Sequence, residues 1–276
     1  MPDIYKSYAK LNLNLHVKAL APNNLHPISS VFQEIDLYDT LTITTSPSQT
    51  AALILSSSGI EMPTDSTNIL FKVFNNLMPQ LTRTYNVHVD KKIPLGSGMG
   101  GSSSNAATFL KAINTIEALN LTDNELIKFS EKIGSDVAFF ISGKKQHVSE
   151  FGNILSPIAS TAEKSYYTII YPNIHCSTKD IYNHFDYMLE KNLFHNTTKA
   201  FQKNNLFEVA LNLYPEINDI YLKLKSFSPK QIYLTGSGST FYITHNTKQH
   251  AQEFTTKLKE IFPSLYIKLV SDVLAD

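Results

Sequence analysis

The sequence of 276 residues contains one cysteine, Cys176, and no tryptophan. A single cysteine excludes an internal disulfide and a metal site built from several cysteines, a composition typical of a reducing compartment. Positive charge is not in excess, because 24 lysines and arginines are balanced by 24 aspartates and glutamates. The chain as a whole therefore has no field that attracts nucleic acid or an anionic membrane, and we expect neither partner. Any anion site must be built locally.

Long apolar segments are also missing. The longest notable apolar run, residues 137–141, is far too short to span a bilayer. The first six residues show no apolar segment of the kind that signal peptides carry. We therefore expect a cytoplasmic chain, and its length allows one large domain or two smaller ones.

Glycine is scarce, yet four of the ten glycines fall within six residues of the segment 91–108, KKIPLGSGMGGSSSNAAT. An alternating pattern typical of a strand precedes this segment, and a helical pattern follows it at 106–113. A glycine-rich loop that opens a helix presents backbone N–H groups and the positive end of the helix dipole, which together suit a phosphate. The sequence therefore predicts a phosphate-binding loop.

Other types of glycine loop fit this segment less well. The Walker pattern requires a lysine directly after the loop, and none is present. Gly96, Gly98 and Gly101 match the dinucleotide fingerprint, but the acidic residue near the required distance, Glu117, lies in a helical pattern. A protein-kinase loop would need downstream His-Arg-Asp and Asp-Phe-Gly motifs, which are absent. A plain connecting turn would need fewer glycines.

Two single residues are candidates for the chemistry that a phosphate loop lacks. Lys10 lies in an alternating strand pattern whose polar face it shares with Asn12 and Asn14, and spacing alone favours a solvated lysine there. Asp136 precedes the apolar residues 137–141 and is either a catalytic carboxylate or the N-cap of a helix. The pattern does not choose between these two roles.

A second glycine-serine loop occupies residues 235–240 between two strand patterns. It fits either a hairpin connection or a second phosphate loop. Tyr182 lies in a helical segment with His184 and Phe185, where core packing is the first explanation for the aromatic rings. None of the nine histidines pairs at metal-ligand spacing, so the sequence predicts no protein metal site.

Periodicity predicts strands and helices that mix without strict alternation, which indicates an α+β fold with mixed sheets. A composition change at 156–165 predicts two lobes, residues 1–160 and 161–276, with a substrate cleft between them. Residues 122–125 form a capping box that begins one helix. The predicted strands are 9–17, 35–45, 87–93, 166–171, 231–235, 240–244 and 264–270. The other predicted helices are 68–85, which Pro79 bends or ends, then 103–119, 178–189 and 249–262, with more than one helix over 206–227.

Taken together, these motifs resemble the GHMP kinases, a family that includes galactokinase, homoserine kinase and mevalonate kinase. The resemblance covers nearly the whole chain and is strongest to one branch, whose substrate carries cytidine diphosphate. It rests on six parts of the sequence, which are residues 7–13, His26, residues 31–39, the glycine loop up to residue 107, residues 134–137 and residues 235–239. Ala138 departs from the branch, which has proline there.

The resemblance implies an N-terminal ATP lobe, a C-terminal substrate lobe, and ATP with Mg²⁺ as cofactors, the Mg²⁺ ligands being unassigned. It implies that Asp136 is the general base for the substrate hydroxyl, with Lys10 beside it. Asn68 and Lys91 match positions near the adenine. The phosphates would be held by Pro94, Gly96, Ser97, Gly98, Met99, Gly100, Gly101, Ser102, Ser103 and Ser104.

For the substrate, the resemblance implies that Phe32 and Tyr182 flank the cytosine. Leu25 stands where the branch usually has a tyrosine that stacks on the base. The other implied substrate residues are Asn12, His26, Thr178, Gly236 and Ser237. We expect a monomer or a homodimer. The alternatives are another small-molecule kinase of this family and a non-catalytic binding protein of the same fold, and the presence of Lys10 and Asp136 argues against the latter.

Overall fold

The computed structural model describes residues 2–159, 163–195, 199–227 and 231–274. Contacts divide the chain into two compact units built from interleaved segments. Unit 1 contains Met1–Ala9, Leu37–Leu95 and Gly100–Gly143, and unit 2 contains Lys10–Asp36, Gly96–Met99 and Lys144–Asp276. The first two strands, β1 (Asp3–Val17) and β2 (Ile28–Pro47), each continue from one unit into the other. The predicted division at residue 160 falls outside the described residues and stays a prediction.

Unit 1 packs helices on a sheet of apolar strands. The second half of β2 pairs antiparallel with β4 (Arg83–Lys91), and β4 pairs parallel with β3 (Ala52–Gly59). The inward residues of β2 and β4 are fully buried, which is the alternation expected of a half-buried sheet. The apolar side of the helix that follows the glycine loop is buried as well. The helices are α1 (Ile69–Leu77), α2 (Gly101–Ile116), α3 (Asp123–Ser130) and α4 (Val137–Ser142).

Unit 2 contains the first half of β2, which pairs antiparallel with β5 (Lys145–Glu150), and β5 pairs antiparallel with β6 (Ile154–Pro157). Its second sheet is antiparallel in the order β10-β7-β9-β8 and packs with the surrounding helices around one apolar core. These strands are β7 (Tyr166–Tyr171), β8 (Tyr233–Leu234), β9 (Phe241–His245) and β10 (Tyr266–Ser271). The helices are α5 (Thr178–Glu190), α6 (Lys199–Lys203), α7 (Leu206–Leu213), α8 (Pro215–Phe227) and α9 (Lys248–Ile261).

The α+β class is confirmed, as is the capping box, in which Thr122 and Glu125 bond reciprocally. The predicted helix 68–85 ends at Leu77, so the break predicted at Pro79 is confirmed, and the helical pattern beyond it is wrong. A 3-10 turn with Pro79 follows α1, and the chain then enters β4 because residues from Arg83 onward pair with β2. The strands β3, β5 and β6 were not predicted, since polar residues interrupt their alternation. Among the described residues, no helix is both long and apolar enough to cross a membrane.

Candidate functional site

The glycine loop leads into α2 in the way that the sequence predicts. Gly100, with φ +72°, is the N-cap of α2, and it has no side chain that could bond the first N–H groups of the helix. A non-glycine residue rarely adopts this left-handed conformation. Ser102 and Ser103 lie in the first turn and remain accessible. This end of α2 therefore presents backbone N–H groups and two hydroxyls to an anion.

Ser104, also predicted to bind phosphate, has a different position. Its hydroxyl accepts a hydrogen bond from Ser7 Oγ at 2.7 Å, and Asn105 Nδ2 donates to the same Ser7 oxygen at 2.9 Å. Ser104 is 1% exposed. Its side chain thus holds α2 against β1, and its phosphate role stays a prediction.

A buried ion pair lies below the start of α2. Lys91 Nζ donates to Asp39 Oδ2, and both side chains are almost completely buried. Asp39 Oδ1 also accepts from the backbone N–H groups of Lys92 and Ile93 at 2.7 and 2.8 Å, and Asn105 Nδ2 donates to Oδ2 at 3.0 Å. One carboxylate therefore fixes the chain that enters the glycine loop and the helix that leaves it.

Gly101 packs directly on this ion pair. A Cβ atom at Gly101 would lie 2.9 Å from Lys91 Nζ and 2.8 Å from Ile93 Cγ2, so a side chain would displace one of them. The ammonium group of Lys91 is bonded to Asp39. The adenine role predicted for Lys91 stays a prediction. Sequence reasoning missed Asp39, whose position among polar and apolar strand residues gives no local signal. Pro94, which follows this segment, is also buried.

In unit 2, the other part of the loop, Gly96–Met99, packs on the loop 235–240. A Cβ at Gly98 would lie 2.5 Å from the Thr235 carbonyl oxygen, and Gly236 approaches the Gly98 oxygen in the same way. Thr240 N donates to Ser97 O at 3.3 Å. The two predicted glycine-serine loops thus contact each other through their backbones. The hairpin interpretation of 235–240 is confirmed, since the loop joins β8 to β9.

Lys10 is not the solvated lysine that spacing alone favoured. It is 3% exposed, its Nζ donates to Asn12 Oδ1, and it lies 4.7 Å from the centroid of the Phe32 ring. The face that Lys10 shares with Asn12 is buried because Thr235 Oγ1 covers it, accepting from Asn12 N at 2.9 Å. Lys10 N donates to the carbonyl of the buried Met99 at 3.0 Å. Three predicted site residues, Lys10, Asn12 and Phe32, are therefore together.

Asp136 occupies the N-cap position of α4 in unit 1, but its side chain makes no capping hydrogen bond. The apolar residues that follow it, including Val137 and Phe139, are buried and anchor the short helix. Capping is thus excluded as the role of the Asp136 carboxylate, and Asp136 itself is only partly buried. The catalytic interpretation stays a prediction.

His26 and Tyr182 are neighbours in unit 2, with ring centroids 5.1 Å apart. His26 Nδ1 lies 2.9 Å from the Lys18 carbonyl oxygen, and Nε2 lies 3.2 Å from Asp186 Oδ2. Both bonds fix the plane of the imidazole. Leu25, the next residue, is 53% exposed and open to a ligand. Asp186 was missed, although it lies one turn after Tyr182 on the same helix face.

The remaining predicted residues have clear local roles. Thr178 Oγ1 and Ser237 Oγ are 3.1 Å apart, and the Gly236 carbonyl accepts from Asn204 Nδ2 at 2.9 Å. Asn204, buried and not predicted, therefore supports the loop 235–240. Asn68 is the N-cap of α1, accepting from Leu70 N at 2.9 Å, and its adenine role stays a prediction.

Cys176 lies under the loop 235–240, where a Cβ at Gly238 would be 3.4 Å from its Sγ. It is 3% exposed, and burial raises the pKa of the thiol to about 12. The thiolate, which is the reactive form, is therefore scarce at neutral pH. Within the described ranges, no group of three or more His, Cys, Asp or Glu residues could hold a metal ion.

The chain is similar to proteins of one kinase family. Residues 68–144 match the family model "GHMP kinases N terminal domain". A relative from Buchnera aphidicola subsp. Schizaphis graminum is 32% identical over 98% of this chain and 94% of its own length, and one from Francisella tularensis subsp. tularensis is 30% identical over 98% and 97%. Both are named 4-diphosphocytidyl-2-C-methyl-D-erythritol kinase.

A solved structure supports the fold. The crystal structure of a 4-(cytidine 5'-diphospho)-2C-methyl-D-erythritol kinase superposes with a TM-score of 0.77 and 20% sequence identity, covering 99% of this chain and 100% of the other. The GHMP-kinase fold implied by the motifs is thus confirmed. With relatives at 30% identity or above along almost the entire chain, this protein belongs to the 4-diphosphocytidyl-2-C-methyl-D-erythritol kinase family of GHMP kinases.

Proposed function

We propose that this chain uses ATP to phosphorylate the 2-hydroxyl of 4-diphosphocytidyl-2-C-methyl-D-erythritol, in the non-mevalonate route to isoprenoid precursors, and that it does so in the cytoplasm. The observation that carries the proposal is the similarity to relatives of that name, at 32% and 30% identity over 98% of this chain. The buried Lys10 with Asn12 and Phe32, and the open N-terminus of α2, support it.

The phosphates of ATP fit the start of α2. Gly100 allows a close approach of the backbone, and Ser102 and Ser103 offer hydroxyls in the first turn. Mg²⁺ in kinases is held by one or two protein oxygens together with substrate phosphates, so the absence of a three-residue cluster among the described residues is compatible with it. We propose a serine hydroxyl of this turn as its protein ligand. The ion would supply charge neutralisation at the phosphates.

The transfer itself requires a proton acceptor and a fixed positive charge. We propose that Asp136 takes the proton of the substrate 2-hydroxyl. The hydroxyl oxygen then bonds to the γ-phosphorus of ATP, the bond from that phosphorus to the bridging oxygen breaks, and ADP leaves. The Lys10 ammonium, held by Asn12 and the Phe32 ring, would stabilise negative charge on the transferred group. Because these contacts fix Lys10 before substrate binds, little reorganisation is needed during the reaction.

The cytidine end of the substrate would lie at His26 and Tyr182. The imidazole of His26, fixed by Lys18 O and Asp186, gives a polar edge, and Tyr182 gives an aromatic face. Leu25 would cover the base by apolar contact alone.

One assay tests the proposed function. Purified protein with ATP and Mg²⁺ is expected to consume ATP with the cytidine-diphosphate substrate and not with homoserine, mevalonate or galactose. Turnover of one of the other three would assign a different kinase of the same family. An absence of turnover with all four, despite ATP binding, would favour the non-catalytic alternative.

Tyr182→Ala is expected to raise the KM for the cytidine substrate by roughly 5- to 150-fold, because stacking of a base on an aromatic ring contributes about 1–3 kcal/mol. The KM for ATP should stay unchanged. Tyr187→Ala is the matched control, since Tyr187 is on the same helix, is exposed and stacks on His184 instead. Leu25→Tyr should lower the cytidine KM. An unchanged cytidine KM in Tyr182→Ala would place the base elsewhere.

Gly100→Val is expected to abolish measurable ATP binding with a modest loss of stability. Valine is strongly disfavoured at φ +72°, and its side chain would stand where the phosphates must approach. Isothermal titration calorimetry with ATP measures the effect. Gly143→Val controls for strain, because Gly143 also has a positive φ (+66°) but follows α4. Normal ATP affinity in Gly100→Val would contradict the phosphate assignment.

A further inference from the structure

Unit 2 has a cavity beside β1 and β2. Leu13 and Asn14 both line it, and because successive strand residues point to opposite faces, the cavity borders both faces of β1. Val31 on β2 also lines it, and its volume is about 570 Å³, which is in the size range of small-molecule sites. We call it the β1–α6 cavity, since Gln202 and Lys203 of α6 also line it. It shares no lining residue with the site proposed for phosphoryl transfer.

Hydrogen bonds join the elements around the β1–α6 cavity. On one side, Asn205 ties the end of α6 to β1, since its side chain bonds both Val17 N and Val17 O at 2.9 and 2.8 Å. Lys203, the last residue of α6, has its Nζ 4.7 Å from the Tyr233 ring centroid. On the other side, β5 pairs with β2, and Ile158 N donates to Lys145 O at 3.0 Å. The cavity is therefore formed without a ligand.

The charged residues of the lining are both lysines, and the rest of the lining is partly apolar and partly polar, the polar residues being Asn14, His16 and Gln202. Lys145 and Lys203 supply two ammonium groups, and none of the lining residues, all of which are described, is acidic. Leu13, Val31 and Ile158 supply the hydrocarbon surface. Two cations near apolar side chains suit a ligand with a phosphate at one end and a short hydrocarbon chain at the other, since lysine binds phosphate as a point charge.

We propose that the β1–α6 cavity binds a small amphiphilic phosphate ester, with its phosphate on Lys145 and Lys203 and its hydrocarbon part on Leu13, Val31 and Ile158. This binding is separate from the proposed catalytic function. It would give the chain a second ligand site whose occupancy need not follow that of ATP.

The test uses n-hexyl phosphate, inorganic phosphate and 1-hexanol as probes, with saturating ADP present to occupy the nucleotide site. Methyl-labelled protein is titrated by NMR. The methyl groups of Leu13, Val31 and Ile158 should shift with n-hexyl phosphate, while that of the exposed Ile4 should not. Hexyl phosphate should bind about 10- to 100-fold more tightly than inorganic phosphate, because burying each CH₂ group is favourable.

The double variant Lys145→Gln/Lys203→Gln should weaken hexyl phosphate binding by at least about 10-fold. Lys223→Gln/Lys259→Gln is the matched control, since it removes the same charge from exposed helix positions elsewhere and should bind normally. Equal loss in both double variants, or shifts confined to other methyl groups, would overturn the site. Equal affinity for hexyl phosphate and inorganic phosphate would overturn the amphiphilic ligand class.

Discussion

Asp136→Asn is expected to slow phosphoryl transfer by about 10²- to 10⁴-fold, the usual cost of removing a general base. Asparagine has the same shape but does not take up a proton. The helix should survive, because the Asp136 side chain makes no capping bond to α4 and the buried Val137 and Phe139 anchor it. ATP affinity should therefore stay normal. Single-turnover transfer and ATP titration on the same preparation separate the two effects.

Asp123→Asn serves as the control for this variant. Asp123 is also an acidic residue next to a helix start in unit 1, in the first turn of α3, and its loss should leave the transfer rate unchanged. Transfer at a normal rate by Asp136→Asn would remove Asp136 from the mechanism. A loss of rate accompanied by an equal loss of ATP affinity would indicate a structural effect instead.

Asp39→Asn is expected to lower the free energy of unfolding by about 3–5 kcal/mol, the usual cost of leaving one charge of a buried pair without its partner. The substituted Oδ1 can still accept from Lys92 N and Ile93 N. The new amide would instead turn a donor toward Lys91 Nζ. Urea unfolding at neutral pH measures the loss. A change below about 1 kcal/mol would show that the ion pair does not stabilise unit 1.

The pH dependence identifies the cause of the loss. Burial lowers the pKa of Lys91 from its ordinary value of 10.5, and the Asp39 carboxylate opposes that decrease. Without the carboxylate, the pKa of Lys91 falls further in the folded state. Between the lowered pKa and the ordinary one, the unfolded variant binds more protons than the folded variant, so its stability rises with pH. The difference in the free energy of unfolding between the parent chain and Asp39→Asn should therefore shrink from pH 7 to about pH 9.5.

The double variant Asp39→Asn/Lys91→Met tests whether the unpaired charge of Lys91 causes the loss of stability. It removes both charges and keeps the acceptor for the two backbone N–H groups, so it should recover most of the stability that Asp39→Asn loses. A double variant as unstable as the single one would assign the loss to packing around Gly101.

The features that could be predicted from sequence are those fixed by local chemistry. The positive φ of Gly100 and the capping box of Thr122 follow from residue types within a few positions. Burial of Lys10 could not be predicted, because the residue that covers its neighbour Asn12 is Thr235, 223 positions away. The Asp39–Lys91 pair also joins residues distant in sequence, and each of the two resembles an ordinary polar strand residue when considered alone.

Asp136 shows an intermediate case. The sequence limits its role to two alternatives, and the missing capping bond removes one of them. Asp186 could have been found, since it follows Tyr182 by four residues on α5, but only the fold shows that His26 is its partner.

The buried position of Cys176 makes the chain convenient for labelling. Because this thiol is the only one and is hardly ionised near pH 7, maleimide reagents should leave the folded parent chain unlabelled. A cysteine introduced at the exposed position 25 would then be the single site for a fluorophore. Such a Leu25→Cys protein would give a direct optical signal for ligands that approach His26, with no need to remove the native thiol.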